Sequence, residues 1–232
     1  MEESQKGNDA MSRTSILLNT TEVDLLWIYR ALKGMIHPDD RVCVVAMSYF
    51  DDTKTPEDWN RQYSPADGCF YKSHTDVFKR YGIDPGNVVW INPFVDDRAA
   101  MLSKIDQASI LLLPGGAPDL FMKRLKKLRL TGRIRNFDGL VIGCSAGSMI
   151  QLEDYHISPD PDYEQFSWQK GAGPLKGFWI EPHFTSSKIQ KESIETVLER
   201  HQGPVYGIWE DGGLIVDENN QVTCIGRVDY FE

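Results

Sequence analysis

The chain has 232 residues, 41% hydrophobic and 25% charged, with 25 Lys+Arg against 34 Asp+Glu for a formal charge of −9. That is the make-up of a globular protein with one well-buried core, short for two full domains. An acidic chain lacks the general positive field of a nucleic-acid binder, and no apolar run approaches the roughly 18 residues of a membrane helix.

Residues 1–13 are polar, without an apolar signal-like core, and are expected to form a disordered lead-in to a single domain over 14–232. Apolar runs rich in β-branched residues follow at 15–18, 41–47, 87–91, 109–113, 139–142 and 177–180. Such runs do not alternate with polar residues, so they predict strands buried on both faces of a mostly parallel sheet. Between them lie helix signals. Leu25, Ile28, Tyr29, Leu32 and Ile36 form a stripe after Thr21 and Asp24, and Phe121, Leu125 and Leu128 form another behind Pro118. Lys123, Arg124, Lys126, Lys127 and Arg129 read as the solvated face of that second helix. A late helix carries Ile194, Val197, Leu198 and His201 and closes at Gly203. The polar stretch 51–68 has no clear period and fits either a lid over a site or a surface insertion. Short strands at 205–209, 213–216 and 222–225, with a turn at Glu218-Asn219-Asn220, predict a C-terminal hairpin. Strand and helix alternating through most of the chain predict a three-layer α/β/α sandwich.

In such folds the loops at the carboxyl ends of the parallel strands converge on the binding crevice. One of them is Gly143-Cys144-Ser145-Ala146-Gly147, a G-x-S-x-G between a strand and a helix. Its glycines permit the tight turn that presents a serine hydroxyl, which makes Ser145 the candidate nucleophile. Cys144 is the rival, but the residue before the nucleophile points back into the sheet. Serine needs a base to take its proton. Among His37, His74, His156, His183 and His201, only His183 directly follows an apolar strand, in Glu181-Pro182-His183-Phe184. A carboxylate should orient that histidine. Asp160 in the turn-rich Ser-Pro-Asp-Pro-Asp segment is the first choice, with Asp162 as the alternative. Backbone N–H donors for a developing oxyanion are expected from Ala146 and from Gly116 or Ala117 in Pro114-Gly115-Gly116-Ala117. Four cysteines, Cys43, Cys69, Cys144 and Cys224, stand far apart without metal-ligand spacing, which suits reduced thiols in a cytoplasmic protein.

Leu113-Pro114-Gly115-Gly116, the serine elbow, Glu181-Pro182-His183-Phe184 and Gly207-Ile208-Trp209-Glu210-Asp211-Gly212 occur in the order seen in the S51 serine peptidases. That family contains the aspartyl dipeptidases (peptidase E) and the cyanophycinases. The resemblance implies a fold similar to class I glutamine amidotransferases and a Ser–His–acid hydrolase needing no metal or organic cofactor. It implies Ser145 as nucleophile, His183 as base and an acid on the intervening loop. Gly115, Pro118 and Glu210 would then border the substrate pocket. The expected substrate is a small peptide or isopeptide-like amide, with no nucleic-acid or membrane partner. Monomer and homodimer both remain open. An esterase on the same fold, or a silent binding member, are the alternatives. This chain has Gly115-Gly116-Ala117-Pro118 where peptidase E proteins carry Gly-Gly-Gly-Asn, and Arg98 and Lys170 are the cations considered for gripping an acidic side chain.

Overall fold

The computed structural model describes residues 12–66 and 68–232. Of the expected lead-in, residues 1–11 lie outside the described residues. Arg13 is held in place, its guanidinium donating to Ser15 Oγ and the Ile134 carbonyl.

The strands are β1 (Thr14–Leu18), β2 (Val42–Val44), β3 (Val88–Trp90), β4 (Ile110–Leu113), β5 (Leu140–Cys144), β6 (Asp154–Ile157), β7 (Ser167–Lys170), β8 (Trp179–Glu181), β9 (Val205–Val216) and β10 (Val222–Phe231). The helices are α1 (Leu26–Leu32), α2 (Pro56–Tyr63), α3 (Tyr71–Thr75), α4 (Arg98–Asp106), α5 (Pro118–Lys127), α6 (Thr131–Arg135), α7 (Ala146–Met149) and α8 (Lys188–Arg200).

The main sheet runs β10-β9-β1-β5-β4-β2-β3, and β8 pairs with β9. The stretch β1-β5-β4-β2-β3 is wholly parallel, while β9 lies antiparallel to β1 and to β10. Its central strands are buried on both faces. Ile16, Leu18, Val42 and Val44 pack with Ile28 and Leu32 of α1 and with Trp59 and Tyr63 of α2. Leu17, Cys43, Leu111 and Val141 face the other way, onto Met101 and Ile105 of α4, Phe121 and Leu125 of α5, and Ile134 of α6. Alternate residues of one strand thus feed two cores, which is why the runs are apolar without a period of two. The expected three-layer α/β/α architecture is the one observed.

Three local expectations change. Within 51–66 lies α2, whose Trp59 and Tyr63 are buried against the sheet. Thr55 caps α2 in a reciprocal capping box with Asp58, and Trp59 Nε1–H donates to the Ala46 carbonyl at 3.2 Å. Arg124 does not belong to a solvated face: it donates to the Met47 and Tyr49 carbonyls and lies over the Tyr49 ring, 3.7 Å from its centre. The two short strands expected at 205–209 and 213–216 are one, β9, with no turn between them.

β9 is what carries the second half of the site. Leu18 at the carboxyl end of β1 pairs with Gly213, so residues 205–212 project past that edge of the sheet. β8 pairs in parallel with this projecting part and therefore runs opposite to β1 and β5. α8 covers the pair through Ile194 and Val197, packed with Trp179, Phe184 and Val205 in a small separate core.

Candidate active site

The elbow is built by close packing. Ser145 follows β5 with φ +49° and ψ −109°, a region L-residues rarely enter. Its N–H donates to the Leu18 carbonyl at 2.7 Å. Ser148, buried one turn on, receives the Leu18 N–H at 2.9 Å and donates to the Leu18 carbonyl at 2.8 Å. A Cβ on Gly147 would stand 1.8 Å from the Leu113 carbonyl oxygen, so only glycine lets α7 lie this close to β4.

Beside it, the loop after β4 carries the other donor. Gly116 has φ +132°, and a Cβ there would meet the Ser48 carbonyl oxygen at 2.3 Å. The neighbouring N–H groups differ in availability. Ala117 N–H donates to Ser48 O at 2.7 Å, which removes Ala117 from the expected oxyanion donors. Gly116 N–H has no acceptor among the described residues, and Ala146 N–H is an unpaired donor at the first position of α7.

Cys144 Sγ is buried and donates to the Asn19 carbonyl at 3.0 Å. Burial pushes its pKa up to about 12, so the thiol stays protonated and is no nucleophile at neutral pH.

His183 also adopts a positive φ, +49°, directly after β8. The Phe184 N–H bonds the Ile208 carbonyl at 2.8 Å, and Gln190 of α8 donates its Nε2 to the His183 carbonyl at 2.9 Å. Ser145 and His183 line one cavity of about 240 Å³, together with Gly116, Pro118 and Asp160. Ser145 Oγ and the His183 ring are not hydrogen-bonded to each other in this state.

The carboxylate on His183 is Glu210. His183 Nδ1 stands 2.5 Å from Glu210 Oε1. A carboxylate only accepts, so Nδ1 bears the proton, which in the neutral tautomer leaves the lone pair on Nε2. Neither Asp160 nor Asp162 occupies this place. Asp160 Oδ1 accepts from the backbone N–H groups of Asp162 and Tyr163, both at 2.8 Å, and so closes its own turn. Asp162 is exposed on that turn. Of the expected pocket residues, Pro118 lines the cavity with Ser145, whereas Glu210 stands behind His183.

Glu210 reaches the histidine through an irregularity in the hairpin. Gly226 pairs with Gly212 and Val228 with Ile208, so Trp209, Glu210 and Asp211 stand against Arg227 alone. The extra residues bow β9 outward and re-aim its side chains. Arg227 lies over the Trp209 ring at 3.3 Å, and Asn19 Nδ2 donates to the Ile208 and Trp209 carbonyls, tying the bulge to the end of β1.

A second pair was not singled out from the sequence. His156 lies buried on β6. Its Nε2 stands 2.7 Å from Glu181 Oε2, which also accepts from Ser158 Oγ at 2.7 Å. Phe166 stacks on the imidazole with ring centres 5.6 Å apart. Glu181 precedes Pro182-His183, so this buried pair ties the β6–β7 hairpin to the strand that presents His183. The legible signal was a charged residue ending an apolar strand.

Residues 64–225 match the model of peptidase family S51. The chain belongs to peptidase family S51. Its family is one of peptidases, and hence of hydrolases. Among solved structures, a candidate peptidase E protein from Listeria monocytogenes EGD-e is similar, with a TM-score of 0.65 at 13% identity over 93% of this chain and 98% of that one. A peptidase from an acI-B1 actinobacterium gives 0.58 at 13% identity over 96% and 95%. At such identity the S51 likeness to these structures is one of fold. No curated protein matches the chain. No helix among the described residues is long and apolar enough to cross a membrane, and no group of side chains among them could hold a metal ion.

Proposed function

We propose that this S51 member is a serine peptidase that cleaves small peptides or isopeptide-like amides through Ser145, His183 and Glu210. The observation that carries the reading is the convergence of a strained serine elbow and a carboxylate-bound histidine on one cavity, with two unpaired N–H groups beside the serine.

In this mechanism His183 Nε2 takes the Ser145 proton as Oγ attacks the scissile carbonyl. Glu210 accepts from Nδ1–H, holds the ring in the tautomer with a free Nε2, and stabilises the imidazolium that forms. The tetrahedral oxyanion is held by the N–H groups of Gly116 and Ala146. His183 then gives its proton to the leaving amine, and water, deprotonated by the same nitrogen, releases the acyl group from Ser145. Positive φ at both Ser145 and His183 fits strain held at reacting residues.

The test is turnover of a mixed short-peptide library, read by mass spectrometry, for wild type against Ser145→Ala. Cleavage by wild type alone supports the reading. Equal cleavage by both proteins removes Ser145 from it, and ester but not amide turnover converts the reading to an esterase.

A further inference from the structure

A second cavity, of about 420 Å³, adjoins the loop after β4 and is lined by residues other than His183. It reaches Gly115, Gly116 and Cys144, and Gly116 lines both cavities. A Cβ on Gly115 would stand 3.4 Å from Ser145 Cβ, so the wall between this cavity and the nucleophile is one glycine thick.

Three rings line it beside Thr20, Thr21, Glu22 and Ser73. Tyr63 ends α2, and Phe70 and His74 follow from the next segment, with Tyr63 and Phe70 ring centres 5.8 Å apart and Phe70 and His74 6.1 Å apart. His74 Nδ1 bonds the Phe70 carbonyl at 2.8 Å, and burial lowers its pKa to about 4, so at neutral pH it is uncharged. Among the described residues, the charged side chain on this cavity is the carboxylate of Glu22, and no Lys or Arg of theirs lines it.

The cavity with His183 is no better suited to an anion, since its lining carries the carboxylates of Asp160 and Glu181 and, among the described residues, no Lys or Arg. Arg98 donates to the Arg129 carbonyl from α4, and Lys170 sits exposed at the end of β7. Neither lines either cavity, which answers the expectation that one of them grips an acidic side chain.

Chemistry orients a substrate across the two cavities. The leaving amine must lie beside the histidine that protonates it. The acyl part therefore points the other way, past Gly115 and Gly116. We infer that the cavity lined by Tyr63, Phe70 and His74 is the acyl-side subsite, and that it selects a large apolar or aromatic side chain over an acidic one. This rests on the serine-peptidase reading and names its substrate class. Apolar area leaving water and ring-on-ring contact favour such a side chain, whereas a carboxylate entering here would lose its hydration with no cation to replace it.

The test labels Ser145 with α-aminoalkyl diphenyl phosphonates bearing benzyl, isobutyl, methyl or carboxymethyl side chains, with rates read from intact mass. Benzyl and isobutyl probes should react about tenfold or more faster than the carboxymethyl probe. Phe70, 45% exposed, can be truncated without opening the core. Phe70→Ala should slow the benzyl probe several-fold more than the methyl probe. A carboxymethyl probe that reacts as fast as benzyl overturns the subsite, as does a Phe70→Ala variant that leaves the benzyl-to-methyl ratio unchanged. A folded protein whose Ser145 is inert to every probe overturns the serine-peptidase reading itself, and the subsite with it.

Discussion

The two halves of the site are held by different means. Ser145 sits at the end of β5 among β1 and β4, with its N–H bonded and α7 pressed onto the Leu113 backbone. His183 and Glu210 stand out past the sheet edge, with side chains 49% and 66% exposed, on β8 and the bulged part of β9. The first half is fixed by sterics that leave one conformation. The second is aimed by hydrogen bonds, a bulge and the small core beneath α8. Under the proposed mechanism, the nucleophile is thus set in the packed half and the base where its side chain has room.

The largest effects should come from removing either half outright. Ser145→Ala and His183→Ala should each lower kcat/KM by about 10⁴- to 10⁶-fold while the circular dichroism spectrum is retained. If either variant kept a tenth of wild-type activity, that residue would lose its role. Glu210→Gln comes next, at about 10³-fold in kcat, because the amide can favour the wrong histidine tautomer. Asp160→Asn and Asp162→Asn should stay within about threefold of wild type in the same assay; a loss as deep as that of Glu210→Gln would return the acid to the turn.

The packed half should fail through stability. Gly147→Ala drives a methyl into the Leu113 carbonyl and should cost about 3 kcal/mol in urea unfolding. Wild-type stability without such a shift would mean that α7 can move and that the serine half is no more rigid than the histidine half. The smallest effect lies outside both halves, at Tyr63, Phe70 and His74. The folded-state pKa of His74 is depressed to about 4, below its ordinary 6.5. Its contribution to stability is therefore full above pH 6.5 and is lost as pH falls toward 4, by about 2–3 kcal/mol. His74→Asn should flatten that part of the unfolding profile relative to wild type; an unchanged slope would mean that His74 is not buried neutral.

Much of the elbow was legible because its signal is local. G-x-S-x-G, an apolar run before it and helix formers after it all lie within a dozen residues, and the glycines there answer to neighbouring backbone. The acid was not legible. Asp160 and Asp162 are nearer His183 in sequence than Glu210, but their turn uses Asp160 Oδ1 for its own N–H groups. Glu210-Asp211-Gly212 has the composition of a turn, and nothing local says that it is a bulge in a continuous strand paired across to Arg227. His156 and Glu181 meet across 25 residues for the same kind of reason, as partners fixed by pairing and packing of separate elements.

By itself the sequence determined the layered α/β architecture, the nucleophile's turn and the strand that presents the histidine, because apolar periodicity and glycine sterics act over a few residues. Tertiary structure alone decided which carboxylate meets His183, which N–H of the Gly116-Ala117 pair stays free, and that Tyr63 of α2 lines a cavity with Gly116. Each of those turns on where a distant strand or carbonyl comes to rest, and that position is set by the whole core.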